Sequence, residues 1–180
     1  MKVFRRTVLA LAATLAVAAC VPNPPPPPPP GGGTTTTTDV TFACVGTGFA
    51  AGLVAPDQTL TVSITAPDEV DPGETFDFVV TYPTFVLVSS PVDLNFFTIP
   101  GVTQITGSGG TLPASVSGSP VVWGPGSATA TIPSAMGSAT AGASGSVDIE
   151  TGTVTMQVGS TGFVCTPVGG GATRSIPIAS

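Results

Sequence analysis

This chain has few residues with which to do chemistry. It contains no histidine. Without an imidazole, neither a Ser-His-Asp nor a Cys-His constellation can form, and no His-ligated metal site is available. Carboxylates are the remaining acid–base groups. A pair for glycoside hydrolysis could be drawn from Asp77, Asp93, Asp148 and Glu150, since that reaction needs one acid and one carboxylate across the bond. Asp77, Asp148 and Glu150 fall on the polar phase of alternating segments, which reads as solvated strand faces. The closest approach to a nucleophile elbow is Gly142-Ala143-Ser144-Gly145-Ser146, which lacks the final glycine and any base. Gly107-Ser108-Gly109-Gly110 mimics a phosphate loop, but no lysine follows. Trp123 is a candidate sugar platform, although a lone Trp among strands is more often core. The acids of Asp68-Glu69-Val70-Asp71-Pro72-Gly73-Glu74 suggest Ca²⁺ at first sight. Their spacing is not that of an EF-hand loop, and a solvated Pro-Gly turn is the favoured reading. No catalytic residue, metal ligand or cofactor is assigned.

The three cysteines carry more information. Lys2, Arg5 and Arg6 form a positive start, and Val8 to Ala19 is an uncharged apolar run. That run has the length of a signal-peptide core and is too short to span a bilayer of about 30 Å as a helix. It ends Val17-Ala18-Ala19-Cys20, which resembles the lipobox of bacterial lipoproteins. The resemblance implies cleavage after residue 19 and lipidation of the Cys20 thiol. The other reading is an ordinary signal peptide with Cys20 incidental. Cleavage would leave Arg174 as the sole basic side chain against ten acids, a balance of −9. Such a chain has no nucleic-acid groove and no electrostatic hold on anionic lipid, so the acyl chains would do the anchoring.

Residues 20–38 read as a tether. Pro24 to Pro30 is an unbroken run expected to form a polyproline II rod, rising about 3.1 Å per residue. Gly31 to Gly33 follow as a flexible joint, and Thr34 to Thr38 as a polar stretch without periodicity. The folded domain is expected over 39–180.

Those chemical residues must be positioned by strands. Leu60, Val62 and Ile64 alternate with polar residues, as do Phe76, Phe78 and Val80. Further segments lie at 40–45, 84–88, 94–99, 102–106, 121–123, 128–132, 162–166 and 175–178. Ser146–Glu150 and Thr153–Val158 read as two strands joined by a Thr151-Gly152 hairpin turn. Residues 107–120 and 134–145 read as loops, with room for a short helix around 134–141. No long segment has a helical period. The expected fold is all-β, an immunoglobulin-like antiparallel β-sandwich with one internal disulfide. With Cys20 assigned to lipid, Cys44 and Cys165 remain. Both lie on the apolar phase of their strands, and an exported protein favours oxidation. The pair is read as a disulfide, with two separately buried thiols as the alternative.

Thr41-Phe42-Ala43-Cys44, Val70-Asp71-Pro72-Gly73-Glu74-Thr75-Phe76, Phe163-Val164-Cys165-Thr166-Pro167 and Ser175-Ile176-Pro177-Ile178 together look like secreted or surface-attached actinobacterial β-sandwich domains of unknown function. That resemblance implies a cell-envelope domain and brings no catalytic residues. The expectation is therefore a lipid-anchored, non-enzymatic envelope protein on the extracytoplasmic face. Its partners would be the membrane and an envelope protein, glycan or lipid, with no nucleic acid. A carrier or sensor of a hydrophobic ligand held between the sheets is the alternative, and an accessory hydrolase is the third reading.

Overall fold

The computed structural model describes residues 32–48, 51, 57–82, 84–86, 99–123, 129–131, 134–158 and 160–180. Cys20, the proline run and Asp93 lie outside them. The described residues form twelve strands: β1 (Thr34–Thr47), β2 (Asp57–Ala66), β3 (Thr75–Thr81), β4 (Thr84–Val86), β5 (Ile99–Ser108), β6 (Gly110–Thr111), β7 (Ser115–Trp123), β8 (Thr129–Thr131), β9 (Ala135–Ala141), β10 (Ser146–Val158), β11 (Thr161–Pro167) and β12 (Thr173–Pro177).

The expected sandwich is not what forms. Eight strands run β7-β5-β10-β11-β1-β2-β3-β9, and β9 pairs back to β7 through Ser117↔Met136 and Gly118↔Ala135. Every neighbour in that ring is antiparallel, so one sheet closes into an eight-stranded barrel. Alternation says that each strand has one buried face. A closed cylinder and two stacked sheets meet that condition equally well. The segments that decide between them are those read as loops. Residues 135–141 are strand β9, not a loop or a helix, and residues 107–120 hold the end of β5, all of β6 and most of β7. Gly, Ser and Ala masked a strand pattern that is clear in burial: Ala135, Ala139 and Ala141 point inward.

Small residues are needed at this closure. A Cβ on Gly137 would lie 2.5 Å from the Phe78 ring and 2.6 Å from Val116, so large neighbours on β3 and β7 fill the space that the glycine leaves. A second correction concerns Thr151-Gly152. It is not a hairpin turn but a bulge within the single strand β10, where residues 151 to 154 are set against 105 to 103 of β5. The extra residue bends the strand and keeps Val147, Ile149 and Thr151, then Val154 and Met156, all pointing inward. Thr34 to Thr38 are not tether but the start of β1, with Thr34 opposite Ala66 and Thr38 opposite Val62.

The described inward side chains pack into one core, as an eight-stranded barrel permits. Phe42, Phe78, Phe163, Met156 and Ile64 are fully buried. The Phe42 and Tyr82 rings meet edge-on, with centroids 6.2 Å apart. Each such side chain contributes roughly 1.5–3 kcal/mol by leaving water.

Candidate functional site

Cys44 and Cys165 form the disulfide. They are direct register partners on β1 and β11, as their shared inward phase requires. The bond fixes the ladder that joins the first strand of the fold to one near its end, across a sequence separation of 121. Both residues are buried, and the Gln58 side-chain amide donates to the Cys44 sulfur at 3.8 Å. This is a structural staple enclosed by the barrel.

Among the described residues, Asp77 stands apart from the neighbouring pair Asp148 and Glu150. Asp77 lies on the outward phase of β3, and Asp148 and Glu150 on that of β10, with β11, β1 and β2 standing between. Asp148 is held by three serines on three strands. Ser175 donates at 2.6 Å, Ser108 at 3.0 Å and Ser146 at 3.3 Å. These bonds favour the ionised carboxylate and hold its pKa below the ordinary value, with Ser175 the largest cause. Glu150 accepts from the backbone N–H of Gly171 at 3.2 Å. Both acids therefore tie neighbouring backbone and strands together.

The glycine motifs are also accounted for by packing. The turn at 142–145 leads into β10, and Gly142 N–H donates to Gly109 C=O at 2.8 Å, so the two glycine-rich segments meet each other. The Pro-Gly turn is present. Asp71 N–H donates to the Glu74 carboxylate at 2.7 Å, and Glu74 N–H returns a bond to Asp71 C=O at 3.0 Å. Trp123 ends β7 opposite Ala130. Among the described residues, no three His, Cys, Asp or Glu side chains gather where they could hold a metal.

What stands out is the outer wall. The outward phases of β1 and β2 put Thr35 opposite Thr65, Thr37 opposite Ser63, Asp39 opposite Thr61 and Thr41 opposite Thr59. Three of these pairs are hydrogen bonded: Thr35–Thr65 at 2.8 Å, Thr61 to Asp39 at 2.6 Å and Thr41–Thr59 at 3.0 Å. Thr75–Thr140 continues the pattern between β3 and β9 at 3.0 Å. β-branched residues favour the pleated surface, and cross-strand Thr pairs add to it. The result is an ordered wall of hydroxyls and methyls, slightly acidic. The described aromatic side chains Phe42, Phe76, Phe78, Tyr82 and Phe163 are all turned inward.

Arg174 is the one described cation, and it closes a seam. β1 pairs with β11 only from Phe42 onward, and β12 pairs with β10. No strand ladder joins β12 to the first half of β1. The Arg174 guanidinium spans the interval, donating to Thr36 Oγ1 and Thr34 Oγ1, both at 2.8 Å, and to Asp68 at 3.0 Å. The Thr34 hydroxyl also donates to Asp68. Asp68 is held below the ordinary carboxylate pKa by the Thr34 hydroxyl first, with Arg174 adding its hydrogen bond and charge. Inside the barrel, burial pushes the Tyr82 phenol up to about 12, against opposing hydrogen bonds from Thr103 and Thr151.

Neither this wall nor this seam carries a motif of catalytic spacing. The signal was available in part: threonine or serine at every second position from 59 to 65, and a single arginine in a domain of ten acids. Compared with known proteins, the chain matches no family model, no curated protein and no solved structure.

Proposed function

We propose that this protein is a lipid-anchored envelope protein whose barrel is a non-catalytic surface module, presenting its hydroxyl-rich outer wall to an envelope partner. The observation that carries this reading is how the polar groups are used. Of the candidate acids, Asp148 and Glu150 are engaged in holding strands and backbone together, while the β1–β2 wall is ordered and exposed. The buried disulfide fits an oxidising compartment outside the cytoplasm. The Val17-Ala18-Ala19-Cys20 sequence supplies the anchor. Among the described residues, no helix is long and apolar enough to cross a membrane. The burial of Phe42, Phe78, Phe163 and Met156 in the described interior supports the surface module ahead of the carrier reading.

The test is the intact mass of protein extracted from its own cells, before and after reduction. The expected species begins at residue 20, carries acyl chains there, gains a pair of hydrogens on reduction and retains no small ligand. Cys20→Ala should release the protein from the membrane fraction. A start elsewhere, or an unmodified Cys20, would overturn the anchoring. A lipid that co-purifies in fixed proportion would return the carrier reading.

A further inference from the structure

Strand β12 is mounted differently from the rest of the barrel. It lies on the first half of β10, from Ser146↔Pro177 to Glu150↔Thr173, and adds one parallel bridge from Ile178 to Val70. Toward β1 it has no strand ladder among the described residues and is held by the Arg174 side chain. It reaches this position through Val168-Gly169-Gly170-Gly171. Gly169 and Gly170 are exposed and take φ of 87° and 117°. A Cβ built on Gly169 would meet nothing within 4 Å. One built on Gly170 would meet only the Glu150 carboxylate, at 3.5 Å, whereas Gly171 is packed against the Thr151 backbone and belongs with the strand. Two consecutive exposed residues in the region that disfavours side chains make a joint at Gly169–Gly170 that can straighten at little steric cost. The strand beyond the joint is not peripheral. Ala172, Ile176 and Ile178 are buried, against Val147, Ile149 and Val70 in the same core. A barrel without β12 would expose an apolar strip and a β10 edge whose register, alternation and polar partners fit one sequence.

We propose that β12 is exchanged between two copies of this chain, swinging out on the Gly169–Gly170 joint, with Gly171 travelling with the strand, to lie on β10 of a second copy that returns its own strand. The contacts are the same in the closed and exchanged forms. The balance between them is set by the joint and by concentration, which is the general basis of strand swapping. The proposal does not depend on the lipid anchor.

The test places cysteines at a register pair on the outer face, Asp148→Cys with Ser175→Cys. Heavy- and light-isotope forms of this full-length variant are mixed, unfolded, refolded together at low and high concentration, then oxidised and digested. Exchange is expected to yield 148–175 cross-linked peptides with one heavy and one light half, their share rising several-fold with refolding concentration. Cross-links that are all heavy–heavy or all light–light at every concentration would overturn the proposal. Gly170→Pro gives a second reading without new cysteines, since proline fixes φ near −65° and forbids the return. It is expected to shift the protein from monomer to dimer in light scattering. A Gly170→Pro protein that stays monomeric with Ile176 protected from hydrogen exchange would count against it.

Discussion

At the scale of single residues, Arg174 does what no backbone ladder does at its seam. Its two threonine bonds to β1 and its pairing with Asp68 bring the start of β1, the β2–β3 connection and β12 together. Replacing it with alanine is expected to lower the unfolding free energy by roughly 1–2 kcal/mol, from the hydrogen bonds to the two threonines. Exposure of Asp68 leaves the ion pair itself a minor contributor. Arg174→Lys should recover less than half of the loss, because an ammonium cannot present the guanidinium's fork to Thr34 and Thr36 together. Urea unfolding at neutral pH measures both. A loss of only a few tenths for the alanine variant would mean that the seam is closed by packing alone.

At the scale of elements, two ladders turn a sheet into a barrel, and each has a residue that can be tested. The β11–β1 ladder is stapled by Cys44–Cys165. Removing both cysteines, as the alanine pair, is expected to cost about 4–5 kcal/mol in the chain-entropy view, given the long loop that the bond closes. The denaturant midpoint should fall accordingly, and reductant should no longer move it. The β7–β9 ladder depends on the absence of a side chain at Gly137. Gly137→Ala is expected to destabilise by about 1–3 kcal/mol through overpacking against Phe78 and Val116. Thermal unfolding would show it, and a neutral effect would mean that the Phe78 ring has room to turn. The strands with strict alternation, β2 and β3, were legible because large apolar and polar residues trade places along them. β9 was not, since Ala-Met-Gly-Ser-Ala-Thr-Ala has little hydrophobic contrast. β10 looks like two strands in sequence because a bulge at Thr151-Gly152 has the same composition as a tight turn.

For the whole molecule, the absence of histidine shapes the response to pH. Nothing in the barrel titrates near neutrality through an imidazole, so stability should be level across that range. On the acid side, Asp68 and Asp148 bind protons less readily when folded. Their stabilisation is complete above the unfolded carboxylate value of about 4 and is lost as pH falls through the lower folded values. On the alkaline side, Tyr82 is raised from 10.0 to about 12. Its contribution is complete below the unfolded value and disappears as pH climbs toward the folded one. Unfolding midpoints from pH 2 to pH 12 should trace a plateau with both shoulders, and Tyr82→Phe should remove the alkaline shoulder. A midpoint that moves sharply between pH 6 and 8 would contradict this. Composition and periodicity were enough to establish an all-β chain and the inward phase of its main strands, Cys44 and Cys165 included. Those properties follow from one buried face per strand, which local alternation encodes. Closure into a barrel, the reach of β1 back to Thr34 and the seam bridged by Arg174 depend on which strands become neighbours. Neighbour choice is set by long-range contacts such as Gly137 against Phe78, and no local pattern carries them.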